Sequence, residues 1–466
     1  MRNLILAVFL AAMTVGYCPG ATRLNVLLIV ADDLRDTVGC YGNTMVKTPN
    51  IDRLAERGVL FQRAYAQYPV CNPSRTSFLT GLRCEETGVV GNNTHFRSKL
   101  PDIVTLPQMV RQRGYYTAAY GKIFHLGEAM GEERGGWSDV GKSWDEAMLF
   151  HPTAAGVVLE GRNLTGGVLK WCHWGATAGG DDDQPDGQNA KYSVEAMEKQ
   201  TAAGKPWFVG AGFHRPHDPF LSPKKYFEMY PPGSLKLYHD PADISPLLPL
   251  SISGGDFTKA FNAFTDRERM EFLRGYYAGV SFTDAQVGRL MAVLDRLNLW
   301  DQTLVIFAGD NGYHHNERSW WNKATLFERS CRVPLIVVAP GGQRGQTCSG
   351  LVELLDLYPT VADYCGLKPP HRLSGQSLRR LIERPDAKGK EAAFTMVGRG
   401  RHYGQTVRTD RWRYVQWSDG TAELYDHSND PEETRNLAQL PEHAELVKDL
   451  KMKLTMVGSP KGLNSP

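Results

Sequence analysis

Short, unbroken apolar runs recur along this chain, and three of them end in residues able to carry chemistry. Asn25-Val26-Leu27-Leu28-Ile29-Val30 leads into Ala31-Asp32-Asp33. Trp207-Phe208-Val209-Gly210-Ala211-Gly212 leads into Phe213-His214-Arg215-Pro216-His217, and Leu304-Val305-Ile306-Phe307-Ala308 into Gly309-Asp310-Asn311-Gly312. A fourth run, Pro334-Leu335-Ile336-Val337-Val338-Ala339-Pro340, has the same character. Runs this short and this continuously apolar suit strands covered on both faces. Helical periodicity lies between them, at residues 51–58 and 276–299, the latter with Val280, Val287, Leu290 and Leu294 on one side. Strands alternating with helices imply an α/β fold whose large, mostly parallel sheet is sandwiched by helices. Ligands of such sheets collect beyond the carboxyl ends of the strands, where the Asp, Asn and His residues fall.

The pattern changes late in the chain. Residues 368–390 are rich in Pro, Arg, Lys and Gly and read as a boundary. Beyond it, residues 405–409 and 412–417 alternate like antiparallel strands, residues 423–426 follow the turn Ser418-Asp419-Gly420, and a helix is expected over 443–456. This divides the chain into a larger α/β domain over 22–385 and a smaller antiparallel-sheet subdomain over 386–466. The start, Met1-Arg2-Asn3 followed by an apolar stretch over 4–13 and by Gly16 and Gly20, reads as a secretory signal peptide over 1–20. Tyr17 ahead of Cys18 is a poor lipobox, and no other stretch has the length of a membrane span. An exported protein is expected, periplasmic or extracellular, or in a lysosome-like compartment in a eukaryote. A net charge of +2 without a basic run argues against nucleic acid as a partner. Setting Cys18 and Cys71 aside, six cysteines remain, at 40, 84, 172, 331, 348 and 365. An even number in an exported chain permits disulfides without fixing their pairing. The acidic stretch Gly180-Asp181-Asp182-Asp183 reads as a solvated loop ahead of a helix that starts at Asp186-Gly187.

Residues 71–75 read Cys-Asn-Pro-Ser-Arg. Asn72 is a candidate cap and Pro73 a candidate opener of a helix running to Thr80, which would set residue 71 at the positive helix end. Asp32, Asp33, Asp310 and Asn311 are hard oxygen donors of the kind that suits Ca²⁺, or else caps of local loops. His125, His214 and His217 titrate in a range suited to proton transfer.

Cys-x-Pro-Ser-Arg ahead of a helix resembles the maturation signature of the type I, formylglycine-dependent sulfatases. The likeness extends through residues 30–35, Gly121-Lys122-Ile123-Phe124-His125, residues 214–220, Leu424-Tyr425-Asp426, Asp430-Pro431-Glu432 and Asn436-Leu437. Within that family the chain most resembles the branch of iduronate-2-sulfatase and its bacterial relatives. The resemblance implies the alkaline-phosphatase-like sulfatase fold, with a smaller C-terminal antiparallel-sheet subdomain. It implies that a formylglycine-generating maturase oxidises Cys71 to an aldehyde. One hydroxyl of the hydrated aldehyde would attack sulfur, and the other would collapse the sulfated hemiacetal. It further implies that Asp32, Asp33, Asp310, Asn311 and residue 71 hold Ca²⁺, that Arg75 fixes the nucleophilic hydroxyl, and that Lys122 and Lys323 grip sulfate oxygens. His125 would be the base and His214 the acid for the leaving oxygen, with His217 either sharing the proton work or buttressing the turn. The implied substrate is a sulfated glycan carrying 2-O-sulfated uronic acid. A phosphonate or phosphate ester hydrolase of the same superfamily is the second reading, and an inactive glycan-binding homologue with an unmodified Cys71 the third.

The chain departs from the family at residues 313–321, where His314-His315-Asn316-Glu317-Arg318-Ser319-Trp320-Trp321 replaces a glycine-containing stretch ahead of Lys323. Trp320 and Trp321 are candidates either for stacking on a sugar or for packing. His95 and Arg97 are candidates for a substrate carboxylate.

Overall fold

The computed structural model describes residues 23–125 and 139–459. The signal-peptide segment lies outside the described residues. Eight strands form the main sheet, in the order Gln346–Glu353, Val59–Tyr65, Arg332–Val338, Thr303–Gly309, Asn25–Asp32, Trp207–Pro216, Tyr116–Gly121, Glu146–Met148. All are parallel except Arg332–Val338, the fourth apolar run, which opposes both of its neighbours.

The continuous apolar character of the strands has a direct cause. On Asn25–Asp32, Leu27 and Ile29 enter one core with Val280, Val287 and Leu290, while Val26, Leu28 and Val30 enter a second core with Leu106, Val110 and Tyr358. Side chains alternate across a strand, so a strand apolar on both faces is buried on both. Each such side chain contributes about 1.5–3 kcal/mol by leaving water. Helices Pro185–Ala202 and Asp266–Arg296 cover the first face, and Cys71–Thr80, Leu106–Arg111 and Leu357–Tyr364 the second.

Helix Asp266–Arg296 begins ten residues before the periodicity that announced it. Its start is fixed by a capping box, in which Glu268 N donates to Thr265 Oγ1 (3.3 Å) and Thr265 N to Glu268 Oε2 (2.9 Å). The opening turn, Asp266-Arg267-Glu268-Arg269, is charged and carries no apolar stripe.

Antiparallel strands Ala393–Arg399, His402–Arg408, Trp412–Trp417 and Ala422–Asp426 form the C-terminal sheet, with helix Ala444–Thr455 packed against it. The first of these strands and a separate three-stranded sheet, Leu159–Asn163, His173–Thr177 and Phe220–Pro223, were not foreseen. Among the described residues every cysteine is a free thiol, so the disulfides that the cysteine count allowed are not formed there. No described helix is long and apolar enough to cross a membrane.

Candidate active site

Four neighbouring parallel strands deliver the candidate residues from their carboxyl ends. Thr303–Gly309 leads to Asp310 and Asn311, Asn25–Asp32 to Asp32 and Asp33, Trp207–Pro216 to His214 and His217, and Tyr116–Gly121 to Lys122 and His125. Two glycines let the last two strands close on each other. A Cβ on Gly121, whose φ is +80°, would lie 2.1 Å from Gly212 O, and one on Gly212 would lie 2.3 Å from the Lys122 backbone. Lys122 N then donates to Gly212 O (3.0 Å), which fixes where the lysine leaves the strand.

Cys71 is fully buried and is the first residue of helix Cys71–Thr80. Val70, not Asn72, occupies the cap position, and its carbonyl accepts from Ser74 N (3.2 Å). The Asn72 side chain turns away to donate to Gly91 O (2.9 Å) and Thr94 O (2.8 Å), because those carbonyls have no ladder partner and the amide can serve both. Lys323 Nζ lies 3.0 Å from Cys71 Sγ and pairs with Asp33 Oδ1. Burial, reinforced by Asp32, nevertheless pushes the thiol well above its ordinary range, so the unmodified sulfur is a poor nucleophile.

Arg75 is fully buried beneath the carboxylates. Its Nε donates to Asp310 Oδ2 (2.7 Å), Nη2 to Asp32 Oδ1 (3.2 Å), and Nη1 to the carbonyls of Lys122 and Ile123. Lys122 Nζ pairs with Asp32 Oδ2. Despite burial, Lys122 together with His217, Arg75 and Lys323 holds Asp32 well below the usual carboxylate range. Burial, with Asp32 and Asp33 behind it, pushes Asp310 up against the pull of Arg75. Asp33 sits at φ +60°, a conformation disfavoured for a residue with a Cβ. Its carbonyl accepts from the buried Tyr276 hydroxyl (2.7 Å) and its N–H donates to Asp310 Oδ1 (3.0 Å), which together hold the turn. Oxygens of Asp32, Asp33 and Asp310 all lie within 4.8 Å of one another. Asn311 Nδ2 donates to Asp33 Oδ1 (2.8 Å), while Asn311 Oδ1 and Asp33 Oδ2 are buried with no hydrogen-bond partner among the described residues.

A cleft of about 510 Å³ opens onto this cluster, lined by Lys122, His125, His214 and His217 together with Asp186 and Phe150. Burial and the Lys122 ammonium lower His125 to about 2, so its imidazole is neutral, and its buried Nδ1 has no partner among the described residues. His217 Nε2 lies 3.6 Å from Asp33 Oδ2, and its Nδ1 meets the Asp218 carbonyl.

Asp186 is the functional residue that reading the sequence missed. Buried near the start of helix Pro185–Ala202, it accepts from the backbone N–H groups of His214 and Arg215 (both 2.8 Å) and faces His214 Nδ1 at 3.3 Å. This leaves His214 Nε2 for the cleft. Pro185 ahead of an acidic first turn marked the helix start, but nothing in the sequence ties Asp186 to a strand end 28 residues away.

Other expected residues are employed elsewhere. Arg97 is consumed by Asp139 (3.0 and 2.6 Å), by Gln108 Oε1 and by backbone carbonyls, so its guanidinium does not serve a substrate carboxylate. His95 accepts from Arg97 N and stacks on Phe96. Trp320 and Trp321 are buried edge-on against Phe261 (5.1 Å) and Phe272 (5.3 Å), which settles their role as packing rather than sugar stacking.

A family model described as Sulfatase matches residues 24–367, and one described as N-sulphoglucosamine sulphohydrolase, C-terminal, matches residues 316–459. Iduronate 2-sulfatase of Mus musculus is 29% identical, with 92% of this chain and 93% of the relative covered. Iduronate 2-sulfatase of Homo sapiens is 33% identical over 75% of this chain and 70% of the relative. Among solved structures, the phosphonate monoester hydrolase of Agrobacterium radiobacter superposes with a TM-score of 0.77 over 93% of this chain and 95% of that one, at 22% identity. The fold is accordingly the alkaline-phosphatase-like one, with the additional C-terminal antiparallel sheet.

Proposed function

This chain belongs to the sulfatase family and is a sulfuric ester hydrolase, and from that premise we propose that it removes sulfate from a carbohydrate, acting on 2-O-sulfated uronic acid. The observation that carries this reading is the convergence of four adjacent strand ends on a buried Cys71 at a helix N-terminus. The two iduronate 2-sulfatases at 29% and 33% identity support the choice of sugar.

The centre fits a hard divalent cation. Three carboxylates converge, and two buried oxygens, Asn311 Oδ1 and Asp33 Oδ2, have no hydrogen-bond partner among the described residues. Asp32, Asp33, Asp310, Asn311 and residue 71 would hold Ca²⁺, whose charge acidifies a bound hydroxyl and offsets a sulfate oxygen. Cys71, matured to formylglycine by a dedicated maturase, supplies a hydrated aldehyde in place of a thiol that burial leaves unreactive.

The chain's own residues do the rest. Asp32, Asp33 and Asp310 face Arg75, Lys122 and Lys323, so the protein alone is close to balanced. With a divalent cation held there, the site would carry an excess of positive charge suited to an anionic sulfate ester. Lys122 and Lys323 bind the non-bridging oxygens as charge grows on them, and Arg75 locks Asp32 and Asp310 in place. His125, which lines the cleft and whose buried Nδ1 has no partner among the described residues, is the proposed acceptor of the residue-71 hydroxyl proton. His214, oriented by Asp186, delivers a proton from Nε2 to the leaving sugar oxygen. The apolar start of the chain supports export, ahead of encounter with a sulfated glycan.

Sulfate release by the matured protein tests the proposal. The panel holds 2-O-sulfated uronate disaccharides, 6-O-sulfated hexosamines, an aryl sulfate and a phosphonate monoester, with residue 71 verified as an aldehyde. Selective release from the 2-O-sulfated uronates is expected. Release only from the other sulfates overturns the sugar assignment, and turnover of the phosphonate alone favours the phosphonate hydrolase reading.

A further inference from the structure

Residues 316–324 carry four non-glycine residues in the left-handed region: Asn316 (φ +88°), Arg318 (+59°), Ser319 (+53°) and Ala324 (+63°). A Cβ makes that region unfavourable, and such a stretch persists only where its surroundings over-determine it. The surroundings come from one irregular segment distant in sequence. Asp240 Oδ1 accepts from Arg318 N (3.0 Å) and Asp240 Oδ2 from Ser319 N (3.2 Å), so one carboxylate clamps two consecutive strained residues. Asn316 Nδ2 donates to Tyr238 O (2.6 Å) and Arg318 Nη2 to Ser245 O (2.8 Å). The far end of the loop is pinned by Ala324 N donating to Pro69 O (3.0 Å), two residues before Cys71.

What the clamp sets is Lys323. Trp320 Nε1 donates to the Lys323 carbonyl (3.1 Å), and Trp320 is buried, so the clamped backbone fixes where the lysine leaves the chain. Lys323 Nζ then lies 3.0 Å from Cys71 Sγ and pairs with Asp33. The structure assigns Asp240 as the positioning residue of Lys323, acting through the left-handed turn at Arg318 and Ser319 and touching none of the reacting atoms itself. This rests on the sulfatase reading given above.

The test is a set of matured variants, D240A, S319G, D240A/S319G, K323A and D240A/K323A, assayed on 4-nitrophenyl sulfate, with amide hydrogen exchange followed over residues 316–324. D240A is expected to lower kcat by about 10- to 100-fold with KM changing far less, since a displaced charge loses its alignment with the transition state. The same substitution is expected to add no further loss in the K323A background, because it acts through that lysine. S319G is expected to restore part of the D240A loss, because glycine takes the left-handed conformation without a clamp. A merely structural Asp240 would give additive losses and no rescue by glycine, and that result overturns the assignment. Should D240A fail to fold, D240N, which keeps one acceptor oxygen, carries the same comparisons. Exchange separates the two ways of failing. Unaltered exchange over 316–324 in D240A overturns the positioning role whatever the substrate. A wild-type enzyme that is inert towards sulfate esters, with the loop protected and residue 71 an aldehyde, overturns the sulfatase reading instead.

Discussion

Asp186 shows how one carboxylate can decide the usefulness of a histidine. His214 sits at the end of a strand with its side chain partly exposed to the cleft, and only Asp186 holds its Nδ1 edge. Burial pushes Asp186 up, but its bonds to His214 more than offset this and keep it ionised. Asp186→Asn is expected to lower kcat on an aryl sulfate about 10- to 100-fold, the scale on which loss of an outer partner of a functional histidine acts. A parallel melting curve should record a separate loss of stability, because an amide cannot accept from both backbone N–H groups, and an unchanged kcat would remove Asp186 from the proposed mechanism. Lys122→Ala strips one cation from the position where sulfate charge grows and is expected to cost about 10²–10³ in kcat. It also leaves Asp32 without its nearest cation, so sulfate binding and turnover should both be measured. At this scale the sequence was readily legible wherever chemistry followed a strand end, as at Asp32-Asp33 and Asp310-Asn311. Asp186 and Asp240 were illegible for the opposite reason: each acts on backbone amides far along the chain, and an Asp in a loop or first helical turn has many ordinary uses.

Among the elements, the four continuously apolar strands declared themselves, while Val59–Tyr65, Tyr116–Gly121, Glu146–Met148 and Gln346–Glu353 of the same sheet did not. A strand buried on both faces is apolar at every position, which few other local environments demand. The first turn of helix Asp266–Arg296 is solvated and looks like loop, and strand Ala393–Arg399 is identifiable only by what it pairs with. The join between that strand and the main sheet combines an apolar cluster of Tyr65, Leu351, Ala393 and Met396 with a charged one. Glu353, at the end of edge strand Gln346–Glu353, accepts from Arg83 Nη1 and Nη2 (2.7 and 2.8 Å), from Lys390 Nζ (2.7 Å) and from Phe394 N (3.0 Å). Burial opposes its ionisation, but Arg83 and Lys390 outweigh burial and lower it to about 2. A depressed carboxyl contributes stability that is complete above the unfolded value near 4.5 and is lost as pH falls through about 2. Asp356 beside it is shifted upward by burial and works the other way, so the net acid slope is a difference between the two. Glu353→Gln is expected to destabilise the protein at neutral pH by about 3 kcal/mol, since two cations lose a buried partner. The gap between variant and wild type should close as pH is lowered, as seen in denaturant melts at neutral and acid pH. A gap that stays constant with pH would show that the cluster contributes through packing alone.

For the whole molecule, the centre concentrates the cost of bringing four strand ends together. Asp32, Asp33 and Asp310 lie in one buried cluster, and burial first, with Asp32 and Asp33 after it, pushes Asp310 up. Arg75, Lys122 and Lys323 balance them in the protein alone, yet Asn311 Oδ1 and Asp33 Oδ2 have no hydrogen-bond partner among the described residues. A cation that engages these oxygens binds only the assembled sheet, because the ligands come from residues 32–33 and 310–311 and are far apart in any unfolded chain. Binding to the folded state alone stabilises it by about 2.7 kcal/mol at a hundredfold excess over Kd. Calcium is therefore expected to raise the melting temperature over that in excess EGTA, and magnesium to do so less, because its tighter octahedral shell gives up water reluctantly. Asn311→Ala removes one neutral oxygen donor without altering the charge balance. It should shrink the calcium-dependent part of the shift while leaving the EGTA baseline within about 2 kcal/mol, as expected for loss of two net hydrogen bonds, those to Asp33 Oδ1 and to the Gly312 carbonyl. Calorimetry with calcium and with EGTA, on both proteins, separates these contributions. Equal melting temperatures in the two conditions would mean that the lysines, and not a metal, neutralise this centre in the working protein.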